Sequence, residues 1–212
     1  MKRKNLSKKR SGFTLPEILL VFALIGIITS IIIPSIARNV NTEKNKILWR
    51  KTYARIDQAT IGLLANNSGG DFVGFFQNQT ILTDKYATQL NYVKKCNGTA
   101  GCWHTSNNWS GLNGTPFGWT YGDGFVLGNG GLLVTSFDSV NCNTTNSSIL
   151  SCGFMYVDVN GWAIPNVMGK DIFGVFITKD GILPMGTQGG YYEGSCISTS
   201  HGRGCSADYL YQ

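Results

Sequence analysis

The sequence predicts an α+β fold in which one long N-terminal helix packs on an antiparallel β-sheet head that has long disulfide-closed loops. Three observations predict it. Residues 13–37 are mostly apolar and carry a single charge, that of Glu17, and apolar residues then continue at helical spacing. After residue 120, short apolar segments alternate with Gly- and Asn-rich turns, which is typical of hairpin strands. We therefore expect a leader over 1–12, a membrane helix over 13–37, an amphipathic helix over 38–66 and a globular head over 67–212.

The formal charge of +6 comes from the first ten residues, which supply six basic side chains. Beyond the helix, residues 58–212 hold six basic and nine acidic side chains. A mildly acidic head argues against a surface that coats nucleic acid. Because positive charge flanks the cytoplasmic side of a membrane helix, we expect the leader to stay inside and the remainder of the chain to be translocated.

The apolar run is long enough to cross a hydrocarbon core of about 30 Å as a helix. A cleaved secretory signal peptide is the alternative. That alternative fits poorly, because the run exceeds an ordinary signal core and no small-x-small cleavage site ends it.

Residues 8–17 read KKRSGFTLPE, with a basic stretch, a Gly, a Phe and a Glu four residues further on. This segment resembles the processing and methylation signature of type IV pilins and type II secretion pseudopilins. The resemblance implies that prepilin peptidase cleaves between Gly12 and Phe13 and that Phe13 is N-methylated. It also implies that Glu17 pairs with the Phe13 amine of a neighbouring subunit, and that Gly26 and Pro34 are the family's helix-loosening and kinking residues.

The charge of Glu17 supports the same interpretation, because a carboxylate in the first turn of a membrane helix is costly and needs a partner. The new α-amino group of Phe13 would be such a partner. The alternative for Glu17 is an interfacial side chain that reaches the lipid headgroups.

The resemblance implies a structural subunit of a type IV pilus or type II secretion-type filament, with a minor pilin or pseudopilin favoured over a major pilin by the long loops and cysteines. Its partners would be other pilin subunits, the prepilin peptidase/methylase and an inner-membrane assembly platform. It would be a single-pass inner (cytoplasmic) membrane protein with its head in the periplasm or exterior, and would join a periplasmic or cell-surface filament after assembly. A pilus-tip adhesin or DNA-binding module and a membrane-anchored enzyme are the alternatives. We expect no enzyme and no required cofactor, since no nucleophile elbow, H-E-x-x-H motif or phosphate-binding loop is present in the sequence.

Beyond the membrane segment, one helical stripe is expected to pack on the sheet, and the run of Asn, Ser and Gly over 66–70 should end the helix. Residues 71–120 show no clean period and are expected to be loop-rich. Strands are predicted at 125–127, 132–137, 154–159, 172–178 and 182–183. The stripe consists of Leu48, Thr52, Ile56, Ala59 and Leu63.

All six cysteines follow the apolar run, which indicates an exported, oxidised domain. Pairing of sequence neighbours is the simplest of fifteen connectivities: Cys96 with Cys102, Cys142 with Cys152, and Cys196 with Cys205. A zinc site that includes His104 or His201 is the alternative, although the spacings match no common zinc motif.

The segment from Tyr156 to Gly186 resembles a pattern near the last strands of many minor pilins and pseudopilins. Asp158, Asn160 and Asp171 offer the hard oxygen ligands that Ca²⁺ prefers, and the resemblance to pseudopilins implies a calcium-stabilised loop here. The competing interpretation is that these side chains close turns on their own backbone.

Overall fold

A computed structural model describes residues 14–118 and 122–211 of the chain, with the side chains of residues 33–40 excepted. The described chain contains three helices and eight strands. The helices are α1 (Leu15–Ala65), α2 (Gln79–Ala87) and α3 (Cys205–Tyr211). The strands are β1 (Tyr92–Cys96), β2 (Asp123–Leu127), β3 (Leu132–Phe137), β4 (Thr144–Asn146), β5 (Ile149–Ser151), β6 (Gly153–Asp158), β7 (Ile172–Thr178) and β8 (Gly181–Pro184).

Six strands form one antiparallel sheet in the order β1-β2-β3-β6-β7-β8. The order follows the chain except that β4 and β5 pair with each other as a separate hairpin inserted between β3 and β6. All neighbouring strands of this sheet are antiparallel. The α+β prediction is confirmed.

The central strands are buried on both faces, which explains why they read as nearly continuous apolar runs. One face packs under the outer part of α1, where the predicted stripe is buried or half-buried as expected. The other face carries a second aromatic cluster, which includes Trp103, Trp109 and Phe117 from the loop after β1.

Trp49 packs α1 against the sheet and the C-terminal helix. Its side chain has no exposed surface, and its ring stacks on Phe173 of β7 with the centroids 4.8 Å apart. The indole Nε1 donates to the Ser206 carbonyl in α3 at 2.9 Å. The helix, the sheet and the C-terminal helix therefore meet at one side chain.

The chain divides into two compact units, one ending at Asn41 and one beginning at Thr42. In the first unit, the 18 residues Leu15–Ile32 have a mean hydropathy of 2.4, long and apolar enough to cross a membrane. Each large apolar side chain in this stretch is 44–76% exposed. So much exposed apolar surface requires lipid or other protein to cover it.

The expectation of a loop-rich segment over 71–120 is wrong in part, because α2 and β1 lie within it. Helix α2 begins at an Asn78 cap whose Oδ1 accepts from the Ile81 amide at 2.9 Å. Thr83 of this helix donates to the buried Asp123 carboxylate at 2.9 Å. This packing against β2 and β3 stabilises a short helix that has little amphipathic pattern of its own.

Candidate functional site

The first turn of α1 is organised by Thr14 and Glu17. One Glu17 carboxylate oxygen accepts from the Thr14 amide at 2.9 Å and from the Thr14 hydroxyl at 2.8 Å. A Thr followed three residues later by a Glu is the sequence of a capping box, and the carboxylate here satisfies the backbone donor just before the helix. Glu17 thus has a hydrogen-bonded position within a single chain. Thr14 is a hydrogen-bond partner of Glu17 that the sequence interpretation missed, although the T-x-x-E spacing is present in the sequence.

Further along this unit, two hydroxyl side chains bond back to the helix. Thr29 Oγ1 donates to the Ile25 carbonyl at 2.8 Å, and Ser30 Oγ donates to the Ile27 carbonyl at 2.7 Å. These bonds satisfy the hydroxyl groups without any external partner, which a membrane helix needs. A Cβ at Gly26 would meet nothing within 4 Å in the single chain. The space beside Gly26 is open to a neighbouring helix.

Two of the predicted processing residues, Gly12 and Phe13, lie outside the described residues. Pro34 lies inside α1, whose helical backbone runs through it from Leu15 to Ala65. The kink at Pro34 stays a prediction.

A second polar cluster lies in the β6–β7 connection, where Asp158 ends β6 and Asp171 precedes β7. Both side chains have no exposed surface. Asp158 Oδ2 lies 2.8 Å from His104 Nε2, and its Oδ1 accepts from the Asn160 amide at 3.0 Å. Asp171 accepts from the amides of Asn166 and Val167 at 2.9 and 2.6 Å. The two carboxylates therefore fix the shape of the loop between the strands.

Burial dominates the electrostatics of this cluster. It raises the pKa of Asp158 to about 6, although the hydrogen bond from His104 acts in the opposite direction. Burial also raises the pKa of Asp171, against the lowering effect of its amide donors. Among the described residues, no Ser, Thr or Cys side chain hydrogen-bonds the His104 ring. Over residues 14–118 and 122–211, the His104–Asp158 pair therefore has no hydrogen-bonded nucleophile beside it.

The three residues predicted as calcium ligands are brought together, but most of their side-chain oxygens accept hydrogen bonds from the protein. Asn160 Nδ2 donates to Asp171 Oδ2 at 3.2 Å, so all three side chains belong to one hydrogen-bonded loop. The buried Oδ1 atoms of Asn160 and Asn166 accept no hydrogen bond from any residue that the structure describes. Within the described ranges, no group of three His, Cys, Asp or Glu side chains is arranged to hold a metal ion. The contacts favour turns closed on their own backbone, and calcium stays a prediction.

The structure forms three disulfide bonds, Cys96–Cys102, Cys142–Cys152 and Cys196–Cys205. These are the neighbour pairs favoured above. The zinc alternative is not supported, because the cysteines are bonded to each other and His104 contacts Asp158 instead. His201 is exposed and lies beside the Phe117 ring, with centroids 5.4 Å apart.

Sequence reasoning missed the role of His104 because its partner lies 54 residues away along the chain. It also missed Arg203, which lies in the loop closed by Cys196 and Cys205. The guanidinium of Arg203 sits 4.9 Å from the ring centroids of both Phe117 and Tyr192. No local pattern in the sequence signals either contact.

Comparison with known proteins bears on the N-terminal unit. Residues 7–33 match the family model described as the prokaryotic N-terminal methylation motif. No curated protein and no solved structure matches the chain. The matched segment contains Glu17, Gly26 and most of the apolar helix, and proteins with this motif are structural rather than catalytic. Together with the exposed apolar helix, the match supports membrane anchoring and shows that the chain carries the prepilin signature of type IV pilin-like proteins.

Proposed function

We propose that the chain is a minor pilin or pseudopilin, a structural subunit that assembles through its N-terminal helix into a type IV pilus or type II secretion-type filament. The observation that carries this proposal is the methylation motif over residues 7–33, on a helix whose apolar side chains from Leu15 to Ile32 are all exposed in the single chain. Lipid covers this surface before assembly, and the helices of other subunits cover it afterwards.

In this mechanism the prepilin peptidase cuts between Gly12 and Phe13 on the cytoplasmic side, and the new amine is methylated. Before assembly, Thr14 holds the Glu17 carboxylate with two hydrogen bonds, which reduces the cost of an acid in the apolar first turn. In the filament, the Phe13 amine of a neighbouring subunit offers an opposite charge in a low-dielectric environment. A charge pair there is far stronger than a hydrogen bond to a neutral hydroxyl, and it sets the register between subunits.

The head is the part of the subunit that faces the periplasm or the exterior. Its three disulfides and doubly covered sheet suit an oxidising compartment. The polymer-forming helix and the head are separate compact units. Changes in the helix are therefore expected to affect assembly while the head stays folded.

The test compares Glu17→Ala with Glu43→Ala. Glu43 is the matched control, because it lies in the same helix outside the apolar segment and, among the described residues, forms an exposed ion pair with Lys46 at 2.8 Å. Exposed pairs of this kind contribute about 0–1 kcal/mol. We expect both variants to insert into the membrane and the Glu43→Ala variant to enter filaments normally. Glu17→Ala should be depleted from sheared filaments by at least tenfold, and equal incorporation of the two variants would refute the assembly role.

Mass spectrometry of the membrane-extracted protein tests the processing step. We expect a mature chain that begins at Phe13 with one added methyl group. A chain that begins at any other residue would overturn the assignment of the cleavage site, whereas an unmodified Phe13 would overturn only the methylation.

A further inference from the structure

A cleft on the head, on the sheet face opposite α1, combines aromatic walls with one cation and one carboxyl group. Its volume is about 610 Å³, within the usual range for small-molecule sites. The half-buried rings of Phe154 and Tyr192 border it, and Phe176 lies beneath, stacked on Tyr192 with the rings 6° from parallel. Flat aromatic surfaces of this kind suit the apolar face of a sugar ring.

The cation is Arg203, and aromatic rings hold it in place. Its Nε donates to the Tyr156 hydroxyl at 2.8 Å, and its guanidinium packs against Phe117 and Tyr192 at 4.9 Å. Arg203 forms no ion pair with any described carboxylate. A guanidinium held by stacking has a planar fork of N–H donors that matches a carboxylate, and the hydrogen bond from Arg203 to Tyr156 uses the Nε donor.

The carboxyl group is that of Asp138, which also lines the cleft. Burial raises the pKa of Asp138, and its side chain makes no hydrogen bond to a described residue. A carboxyl group accepts hydrogen bonds from hydroxyl groups. Its presence also disfavours a dianion such as phosphate, because like charges in one cleft repel. The cleft therefore suits a ligand with one carboxylate and several hydroxyls.

We propose that this cleft binds an acidic saccharide, a pyranose ring that bears a carboxylate. The carboxylate would pair with Arg203, a ring hydroxyl would donate to Asp138, and the apolar ring face would lie on the aromatic walls. The proposal concerns the head alone and does not depend on how the N-terminal helix assembles.

The experiment is isothermal titration calorimetry of the full chain in non-ionic detergent, with sodium glucuronate as the probe and glucose as its neutral counterpart. We expect glucuronate to bind at least tenfold more tightly than glucose, because glucose lacks the group that pairs with Arg203. Sodium acetate, which has the carboxylate without the ring, should bind at least tenfold more weakly than glucuronate. Equal affinities for glucuronate and glucose, or no detectable glucuronate binding, would overturn the proposal.

Two variants locate the site. Arg203→Lys keeps the charge but loses the planar fork of donors, and we expect it to weaken glucuronate binding at least tenfold. The matched control is Arg55→Lys, at an exposed arginine outside the cleft, which should leave glucuronate binding unchanged. Asp138→Asn should weaken glucose binding by about threefold, since it removes an acceptor for hydroxyls, and glucuronate binding by less, since it also removes a charge that repels the ligand carboxylate. If Arg203→Lys fails to fold, Asp138→Asn tests the proposal instead, and unchanged glucose binding in this variant overturns it. Tighter binding of N-acetylglycine than of glucuronate would assign the cleft to a peptide carboxylate instead and would equally overturn it.

Discussion

Replacing Trp49 is expected to produce the largest loss of head stability available from one side chain of α1. The indole is fully buried, stacks on Phe173 and donates to the Ser206 carbonyl. Burial of a Trp side chain removes roughly 150–250 Å² from water, which at about 25 cal/mol per Å² corresponds to about 4–6 kcal/mol. Measured truncations of buried aromatics cost about 3–5 kcal/mol, so we expect Trp49→Ala to lower the free energy of unfolding by about 4 kcal/mol.

Trp49→Phe separates the ring from its hydrogen bond. The variant keeps an aromatic surface against Phe173 but removes the hydrogen bond to the Ser206 carbonyl, which lies in the first turn of α3. Loss of one hydrogen bond costs about 0.5–1.5 kcal/mol, and the smaller ring leaves part of the indole volume unfilled. We therefore expect about 2 kcal/mol for Trp49→Phe, clearly less than for Trp49→Ala.

Pulse proteolysis of the detergent-solubilised chain across a urea series measures these differences, since it depends on the unfolded population and not on Trp fluorescence. Ile61→Ala is the control, because Ile61 is a large apolar residue of the same helix that is 57% exposed. It should change the unfolding free energy by about 0.5 kcal/mol or less. Such truncations usually cost about 3–5 kcal/mol, so a loss below about 1.5 kcal/mol for Trp49→Ala would refute the account of α1 packing.

Three further predictions concern the loops of the head. The pKa of Asp158 in the folded protein is raised from 3.8 to about 6, so its contribution to the free energy of unfolding is fully present below pH 4 and is lost as the pH rises through 6. Asp158→Asn should reduce this pH dependence by up to about 3 kcal/mol. Urea titrations of both proteins at pH 4 and pH 7 measure it, and an equal pH dependence in the two proteins would contradict the prediction. Millimolar Ca²⁺ should leave the thermal midpoint unchanged relative to a chelator, since Asp158 and Asp171 already accept protein hydrogen bonds; a clear rise would instead support a calcium site in this loop. Non-reducing peptide mapping should recover Cys196 bonded to Cys205, and loss of this pair should destabilise the head by about 2–3 kcal/mol without affecting leader cleavage; free thiols at both positions would contradict the pairing.

The strands were predictable where Gly-rich turns bound them. The predicted bounds 132–137 and 172–178 coincide with β3 and β7, because a turn follows or precedes each apolar run directly. The stripe on α1 was predictable for a similar reason, since one buried face imposes a period on the sequence. Helix α2 was not predictable from periodicity, because it is held by contacts of Thr83 and Gln79 to β2 and β3.

The candidate sites also differ in whether their residues are close together in the sequence. The N-terminal motif is local, so ten consecutive residues are enough to predict cleavage between Gly12 and Phe13 and an assembly role for Glu17. The His104–Asp158 pair and the stacking around Arg203 join residues that are far apart in sequence. Such contacts exist only after the sheet has formed and leave no periodic signal. Two of the three expected calcium ligands, Asp158 and Asp171, accept from backbone amides in the folded loop, and calcium binding stays a prediction.

The two units of the chain are subject to different physical constraints, which explains why comparison finds the first and not the second. A helix that passes from lipid into a filament must remain apolar over its length, satisfy its hydroxyl groups internally and keep one paired charge, and few sequences meet these conditions together. The match over residues 7–33 covers this helix. A sheet buried on both faces can be packed by many combinations of apolar side chains, and its loops are free to carry a binding surface. Substitutions in the cleft around Arg203 are therefore expected to change what the head contacts, whereas substitutions at Glu17 are expected to change whether the proposed subunit assembles.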